Sequence, residues 1–282
     1  MRFGAHVSSA GGLANAPKNA AAIGCEVFQF FSRPPQSGRA PALTPETIER
    51  FRATCAAHRF DTYVIHSPYI INFASASPMI RGSSVRIIRE ELDRGSALGA
   101  RAVMFHPGSA KDVEIEEGIR MVAQGIRKVL DGYAGSTQLL IEISAGAGNV
   151  IGDTFEEVAA ILDACEGADV GVCFDTAHAF ASGYDLRTPA AVKETFDRFE
   201  ATIGLDRLVM SHCNDSKVAL GTHKDRHEHI GRGHLGVGAF EALLKEKRLK
   251  DIFWIVETPP EGAADDLRKL EDLRGRAGAA LG

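Results

Sequence analysis

Short apolar runs with strand character alternate with helical stretches along the chain, and this alternation restricts the fold more than any other feature of the sequence. We count eight runs, at residues 2–7, 27–31, 62–67, 102–107, 138–144, 170–176, 207–214 and 252–259. Most are continuously apolar, as strands buried on both faces of a parallel sheet must be. Repeated βα units of this kind predict an α/β protein with a closed (β/α)8 TIM barrel.

The segments between these runs support the same interpretation. Apolar residues recur there with helical spacing, as in Phe155, Val158, Ala159 and Leu162 and again in Val192, Phe196, Phe199 and Ile203. Such stripes are typical of the outer helices of a barrel. The irregular segments 32–41, 67–79, 182–188 and 216–238 each follow a predicted strand, so we expect them to be βα loops. No linker interrupts the pattern, and we expect one domain over residues 1–282.

Composition and charge exclude several classes of protein. Hydrophobic residues make up 45% and charged residues 24% of the chain, which is ordinary for a globular protein. There is no run of 18 apolar residues and no signal-peptide pattern, so we expect a cytoplasmic protein without a membrane segment. The five scattered cysteines form no CxxC pair and indicate reduced thiols. A net charge of −5 is unusual for a nucleic-acid-binding protein.

Polar residues stand at the ends of six of the predicted strands, where a buried β-run should be apolar. They are His66, His106, Glu142, Asp175, His178, His212 and Glu257. Buried His, Asp and Glu side chains cost several kcal/mol unless they are paired or bind metal. In a TIM barrel the carboxyl ends of the strands form one rim, which is where active sites lie. We therefore expect these side chains to converge at the C-terminal face of the barrel.

A single histidine at a strand end is more often a hydrogen-bonded structural residue than a ligand, but seven such residues together favour a metal site. Asp225 and His227 in the following loop add a further possible pair, although charged loops are usually just solvated. Imidazole and carboxylate ligands without thiolate suit catalytic Zn²⁺, with Mn²⁺ or Fe²⁺ as possible substitutes. Nine ligands exceed the needs of one ion, and multi-ion sites chiefly serve phosphoryl transfer. The sequence thus predicts a phosphate-ester substrate.

Several segments resemble those of one known family, endonuclease IV, the zinc-dependent apurinic/apyrimidinic endonucleases of base excision repair. They are residues 4–8 with 11–13 (GAHVS and GGL), 106–109 (HPGS), 175–185 (DTAHAFASGYD), 212–217 (HCNDSK) and 225–227 (DRH). The resemblance runs from Met1 to about Pro259. It implies hydrolysis of the DNA backbone 5′ to an abasic site, which leaves a 3′-hydroxyl and a 5′-deoxyribose phosphate, together with trimming of blocked 3′ ends.

The resemblance also implies three zinc ions per chain. One is held by His66, His106 and Glu142, a second by Glu142, Asp175, His212 and Glu257, and a third by His178, Asp225 and His227. Glu142, which bridges two of the ions, is the implied catalytic residue. The implied partner is double-stranded DNA with abasic sites or blocked 3′ ends. We expect a monomer that acts in the cytoplasm and associates with the nucleoid.

Members of this family insert side chains into DNA at the abasic site. Tyr69 and Ile70 stand where the family has an aromatic and an aliphatic wedge, and Gln36 stands where many members have an inserting Arg. The sequence departs from the family at Gln36, at Gly38 in place of Trp and at Ala147 in place of Gln. We expect weaker DNA contacts at these positions.

Two other functions fit parts of the pattern. Sugar isomerases and epimerases with TIM barrels also place His, Asp and Glu around divalent ions, but they need at most two ions, which leaves His178, Asp225 and His227 without a role. A metal count near three per chain would decide between the two. A module that binds abasic sites without cutting them is disfavoured because every implied ligand is present, and a nicking assay would test it.

Overall fold

In the computed structural model, which describes residues 1–165 and 167–279, eight parallel strands close into a barrel in the spatial order β1, β10, β7, β6, β5, β4, β3, β2. These strands are β1 (Arg2–His6), β2 (Val27–Phe30), β3 (Tyr63–His66), β4 (Ala102–Phe105), β5 (Gln138–Glu142), β6 (Val170–Asp175), β7 (Leu208–His212) and β10 (Phe253–Val256). The predicted TIM barrel is confirmed. Of the span 1–282 expected to form one domain, Glu166 and residues 280–282 lie outside the described residues.

Helices surround the barrel in the described ranges. They are α1 (Asn15–Ala22), α2 (Pro45–Ala57), α3 (Pro78–Leu98), α4 (Ile115–Leu130), α5 (Phe155–Ala164), α6 (Thr176–Ala181), α7 (Pro189–Thr202), α8 (Gly236–Lys245) and α9 (Ala263–Ala279), with 3-10 turns at Leu205–Arg207, Lys247–Leu249 and Pro260–Gly262. Helices α2 and α7 each have a proline in the first turn, and the threonine before it accepts a backbone N–H with its side chain. Within the described chain, no helix has the length and apolarity needed to cross a membrane.

The barrel interior consists of an apolar layer with a polar layer above it. The apolar side chains packed along the axis include Val27, Val64, Met104, Leu140, Cys173, Met210 and Ile255. Side chains two residues apart on a strand point to the same face, so the residue that follows each of these by two also points inward. Those residues are Gln29, His66, His106, Glu142, Asp175, His212 and Glu257. Strand register thus places six of the predicted ligands in one layer at the C-terminal rim.

The eight predicted strands all exist, but they end one to three residues earlier than predicted. His106 and Glu257 therefore lie one residue beyond their strands. Two of the predicted loops were drawn too long, because α3 begins at Pro78 within 67–79 and α8 begins at Gly236 within 216–238. The segment 182–188 was predicted to follow a strand directly, but it joins α6 to α7. The last loop also contains a short antiparallel pair, β8 (Asp215–Ser216) and β9 (His227–Glu228), which the sequence did not predict.

Candidate metal centre

Among the residues that the structure describes, four groups of His, Asp, Glu or Cys hold their possible ligand atoms within 4.8 Å of one another. The groups are His66, His106 and Glu142; Glu142, Asp175, His212 and Glu257; Asp175, His178 and His227; and Glu142, Cys173 and His212. The first two coincide with two of the ligand sets that the family resemblance implies. A cavity of about 260 Å³ lies over them and is lined by residues from several strand ends.

Glu142 lies at the centre of this cluster and is completely buried. Its Oε1 atom is 2.8 Å from His212 Nδ1, and its Oε2 atom is 3.2 Å from His106 Nε2. Oε2 accepts no hydrogen bond from any described residue. Burial raises the pKa of the Glu142 carboxyl, but His106 and His212 outweigh it and hold that pKa well below its ordinary value. An ionised, buried oxygen without a donor is what a cation-binding carboxylate requires.

The second group surrounds the Nδ1 atom of His212. This atom lies 3.2 Å from Glu257 Oε2 and 3.8 Å from Asp175 Oδ2, in addition to its contact with Glu142. Asn214 donates its side-chain amide to Asp175 Oδ2 at 2.7 Å and accepts the backbone N–H of Glu257 at 2.7 Å. The amide of Asn214 therefore fixes two carboxylate-bearing positions relative to each other.

The third set predicted from the family resemblance is also brought together. His178 Nε2 and His227 Nε2 are 3.3 Å apart, and each lies 3.3 Å from Asp225 Oδ1. Nδ1 of His178 is 2.9 Å from the Ile143 carbonyl, which can only accept, so that nitrogen carries a proton, and when the ring is neutral its lone pair lies on Nε2. Two imidazole nitrogens and a carboxylate oxygen thus converge on one point near the surface.

His66 completes the first group. Its Nδ1 atom is 2.6 Å from the Ser67 carbonyl, which leaves Nε2 free to act as a ligand. Burial lowers the pKa of His66 to about 3, so the ring is neutral at physiological pH. A neutral imidazole is the form that binds metal.

The donor set fits zinc, because imidazole and carboxylate are its usual ligands at catalytic sites. Mn²⁺ and Fe²⁺ accept the same donors. Cys173, which the sequence did not suggest as a ligand, lies near Glu142 and His212. Burial raises the pKa of its thiol to about 11, so in the absence of a cation the sulfur keeps its proton. We assign no ligand role to this thiol.

The three residues expected to contact DNA are exposed on the loops after β2 and β3. The Tyr69 side chain is 62% exposed and its ring is 5.4 Å from the His66 ring, while Ile70 is 42% exposed. Gln36 is exposed on the loop after β2, and this loop contacts the loop after β3 because Tyr69 N donates to the Pro35 carbonyl at 2.8 Å. Ala147 is exposed and lines a neighbouring cavity of about 380 Å³.

Reasoning from the sequence missed three buried polar residues of this region: Gln29, Asn214 and Asp215. Gln29 stands inside an apolar strand, which is a visible signal, but the sequence does not show its partners. Asn214 and Asp215 belong to residues 212–217, a segment that resembles the endonuclease IV family, but the resemblance gave neither residue a role of its own. The ring of His6 also belongs to this region, because its Nδ1 atom lies 2.9 Å from Gln29 Nε2 and 3.7 Å from Glu257 Oε1.

Comparison with known proteins gives consistent matches over nearly the whole chain. A family model described as "Xylose isomerase-like TIM barrel" matches residues 17–273. The chain is 40% identical to a protein named probable endonuclease 4 of Aquifex aeolicus, with 93% of each chain covered, and 38% identical to one of Solibacter usitatus, with 100% of this chain and 98% of the relative covered.

Solved structures agree with these matches. Endonuclease IV of Thermus thermophilus is 35% identical, with a TM-score of 0.87, and the match covers 98% of this chain and all of that one. A D-tagatose 3-epimerase-like protein has a TM-score of 0.78 at 19% identity over the full length of both chains, which shows a shared fold alone. The full-length identity to proteins named endonuclease 4 places this chain among nuclease enzymes, and it belongs to the endonuclease IV family.

Proposed function

We propose that this enzyme hydrolyses the DNA phosphodiester 5′ to an abasic site and leaves a 3′-hydroxyl and a 5′-deoxyribose phosphate. It also trims blocked 3′ ends. The observation that carries the proposal is the arrangement around Glu142, whose two oxygens face His106 and His212 at 3.2 and 2.8 Å in a buried layer. The DNA substrate is inferred from family membership. In this proposal the enzyme is a monomer with one domain over residues 1–282, and it acts in the cytoplasm at the nucleoid.

Nine side chains would hold three zinc ions in this proposal. They are His66, His106 and Glu142; Glu142, Asp175, His212 and Glu257; and His178, Asp225 and His227. Bound zinc lowers the pKa of water and neutralises charge on phosphate oxygens. The protein supplies a buried layer that orients its carboxylates, since Asn214 holds Asp175 and the backbone of Glu257.

The exposed residues beside the cluster would bind the substrate. Tyr69 and Ile70 project from the loop after β3 next to the cavity, where an apolar wedge can fill the space that a displaced nucleotide leaves. Gln36 lies on the adjacent loop and offers a neutral hydrogen-bonding group. A sugar isomerase, the alternative on the same scaffold, needs at most two ions and leaves the set of His178, Asp225 and His227 without a role.

The test is a nicking assay on a duplex that carries one tetrahydrofuran site, with and without a chelator. We expect cleavage on the 5′ side of the site, a 3′ end that a polymerase extends, and loss of both after chelation. Cleavage on the 3′ side, or none at any zinc concentration, would refute the proposal. Isomerisation of a ketose by the same preparation would favour the alternative.

A further inference from the structure

The inward polar layer consists of the seven residues that each follow an apolar-layer residue by two positions. Of these seven, Gln29 alone has no part in the proposed function. It lies on β2, is completely buried, and is surrounded by side chains from β1, β7 and the end of β10. Three polar contacts of its side-chain amide lie within 3 Å. Its Nε2 atom is 2.7 Å from Glu257 Oε1 and 2.9 Å from His6 Nδ1, and its Oε1 atom is 2.8 Å from His212 Nε2.

These contacts allow only one orientation of the amide. Glu257 offers a carboxylate oxygen, which accepts hydrogen bonds and cannot donate them, so the amide nitrogen of Gln29 must face it. The amide oxygen then faces His212 Nε2 and can only accept. His212 Nε2 must therefore carry a hydrogen, and the lone pair of the neutral ring lies on Nδ1.

This orientation has a consequence for ligand binding. His212 Nδ1 is the atom that faces Glu142 and Glu257, at 2.8 and 3.2 Å. His66 and His178 are fixed in the opposite sense, because backbone carbonyls at 2.6 and 2.9 Å hold their Nδ1 hydrogens and leave Nε2 as the ligand atom. For His212 the side-chain amide of Gln29 takes the place of a backbone carbonyl, because its Oε1 atom faces Nε2 of the ring at 2.8 Å.

We propose that Gln29 is a positioning residue that sets the Nδ1-binding tautomer of His212 and, through its amide nitrogen, orients Glu257 for the same ion. One side chain thereby fixes two ligands of the second set. The inference rests on the ligand assignment in the proposed function, but not on the DNA chemistry. Groups behind metal ligands commonly change metal affinity by roughly 10- to 100-fold when they are removed.

Two variants separate the two tasks of the amide. Gln29→Met has a similar volume and neither accepts from His212 nor donates to Glu257. Gln29→Glu keeps an acceptor for His212 Nε2 but places a second carboxylate against Glu257 Oε1, which repels it. Gln138→Met is the control, because Gln138 is the first residue of β5 and therefore lies at the end of the barrel opposite the ligand layer.

The experiment measures zinc affinity by competition with a chromophoric chelator, and the tautomer of His212 from the ring ¹⁵N shifts of the zinc-loaded protein. We expect Gln29→Met to weaken the binding of one ion by roughly 10- to 100-fold. Gln29→Glu should also weaken it while His212 remains metal-bound through Nδ1. The control should bind like the wild type.

The inference is overturned if the wild-type ring binds zinc through Nε2, or if both Gln29 variants bind every ion with wild-type affinity. If Gln29→Met does not fold, the ¹⁵N spectrum of the zinc-loaded wild type and the zinc affinity of Gln29→Glu still test the inference. Neither readout uses DNA. If zinc affinity and the His212 tautomer both agree with the inference but the protein does not nick an abasic duplex, the proposed function is refuted and the role of Gln29 still stands.

Discussion

Glu142 is the residue that joins the first two ligand sets, because its two carboxylate oxygens face different histidines in a fully buried position. The Glu142→Gln variant keeps the size of the side chain but replaces one oxygen with an amide that cannot bind a cation. We expect the fold to remain and kcat on an abasic duplex to fall by at least about 100-fold. Glu271→Gln, on the exposed face of α9, is the matched control. Near-normal turnover of Glu142→Gln with full metal content would rule out the bridging role.

Tyr69 and Gln36 test the contact with DNA at single positions. Tyr69→Ala should weaken binding and nicking of an abasic duplex, with a smaller loss on a short 3′-phosphate substrate that needs no wedge. Gln36→Arg should tighten binding by roughly 1 kcal/mol and steepen the salt dependence by about one counterion, because it adds one cation near the phosphates.

Binding curves over a salt series measure both effects. Gln124→Arg, which adds the same charge on the outer surface of α4, controls for net charge. If Gln36→Arg and Gln124→Arg change affinity equally, or if Tyr69→Ala binds like the wild type, these two loops do not contact the DNA.

At the level of elements, the loop between β7 and α8 depends on one buried carboxylate. Asp215 accepts backbone N–H groups from Ser216, Gly231, Gly233, Leu235 and Gly236 at 2.7 to 3.2 Å. Its strand β8 pairs with β9, which carries His227. The carboxylate thus holds the loop that brings Asp225 and His227 to His178.

Asp215→Asn replaces one acceptor oxygen with a donor and leaves several buried N–H groups unsatisfied. We expect a loss of about 3 kcal/mol in the free energy of unfolding, since each unsatisfied buried group costs about 1–3 kcal/mol. The zinc content should also fall by one ion per chain. Denaturant unfolding and elemental analysis measure these quantities, with the exposed Asp251→Asn as control. Unchanged stability together with full zinc content would show that the loop is held by other contacts.

The barrel strands and the ligand layer were predictable because both follow from local rules. A strand buried on both faces of a parallel sheet must be apolar. A charged residue at the end of such a strand, as in Ile141–Glu142, therefore indicates that the inward-pointing side chains at that level belong to the polar layer. The pair β8–β9 was not predictable, because each strand has two residues, Asp215 pairs with the distant Glu228, and most of the backbone N–H groups that the Asp215 carboxylate accepts lie 16 to 21 residues later in the chain. Gln29 was visible as a polar residue within an apolar run, but its partners lie on other strands, and their identity depends on strand order and register.

At the scale of the whole molecule, the fold itself does not distinguish a nuclease from a sugar epimerase. The chain superposes on an epimerase-like protein with a TM-score of 0.78 at 19% identity. We propose that the difference lies at the rim, where His178, Asp225 and His227 converge beside the deeper ligand layer. The third set belongs to a loop and a short helix, which vary more readily on a shared barrel than the strands do.

We expect the buried ligand layer also to tie stability to metal. Glu142 and Asp175 are completely buried and lie close to Glu257, so without cations their mutual repulsion is relieved by the histidines and by amide donors such as those of Asn214 and Gln29. Zinc at about 1,000 times its Kd adds roughly 4 kcal/mol to the free energy of unfolding, which corresponds to about 10 °C in Tm for a chain of this size. Thermal melting before and after chelation measures the difference. Re-addition of zinc should restore the original Tm, and equal melting of the metal-free and loaded protein would contradict the assignment.

The central claim is that three ligand sets act together to cut DNA at abasic sites. The most direct measurement adds zinc in known equivalents to the metal-free protein and records the initial rate of nicking on a duplex with one tetrahydrofuran site. The three-ion account predicts that the rate rises until about three equivalents per chain are bound and then stays constant, with incision on the 5′ side throughout. A rate that reaches its plateau after one equivalent, or no incision at any zinc content, would contradict it.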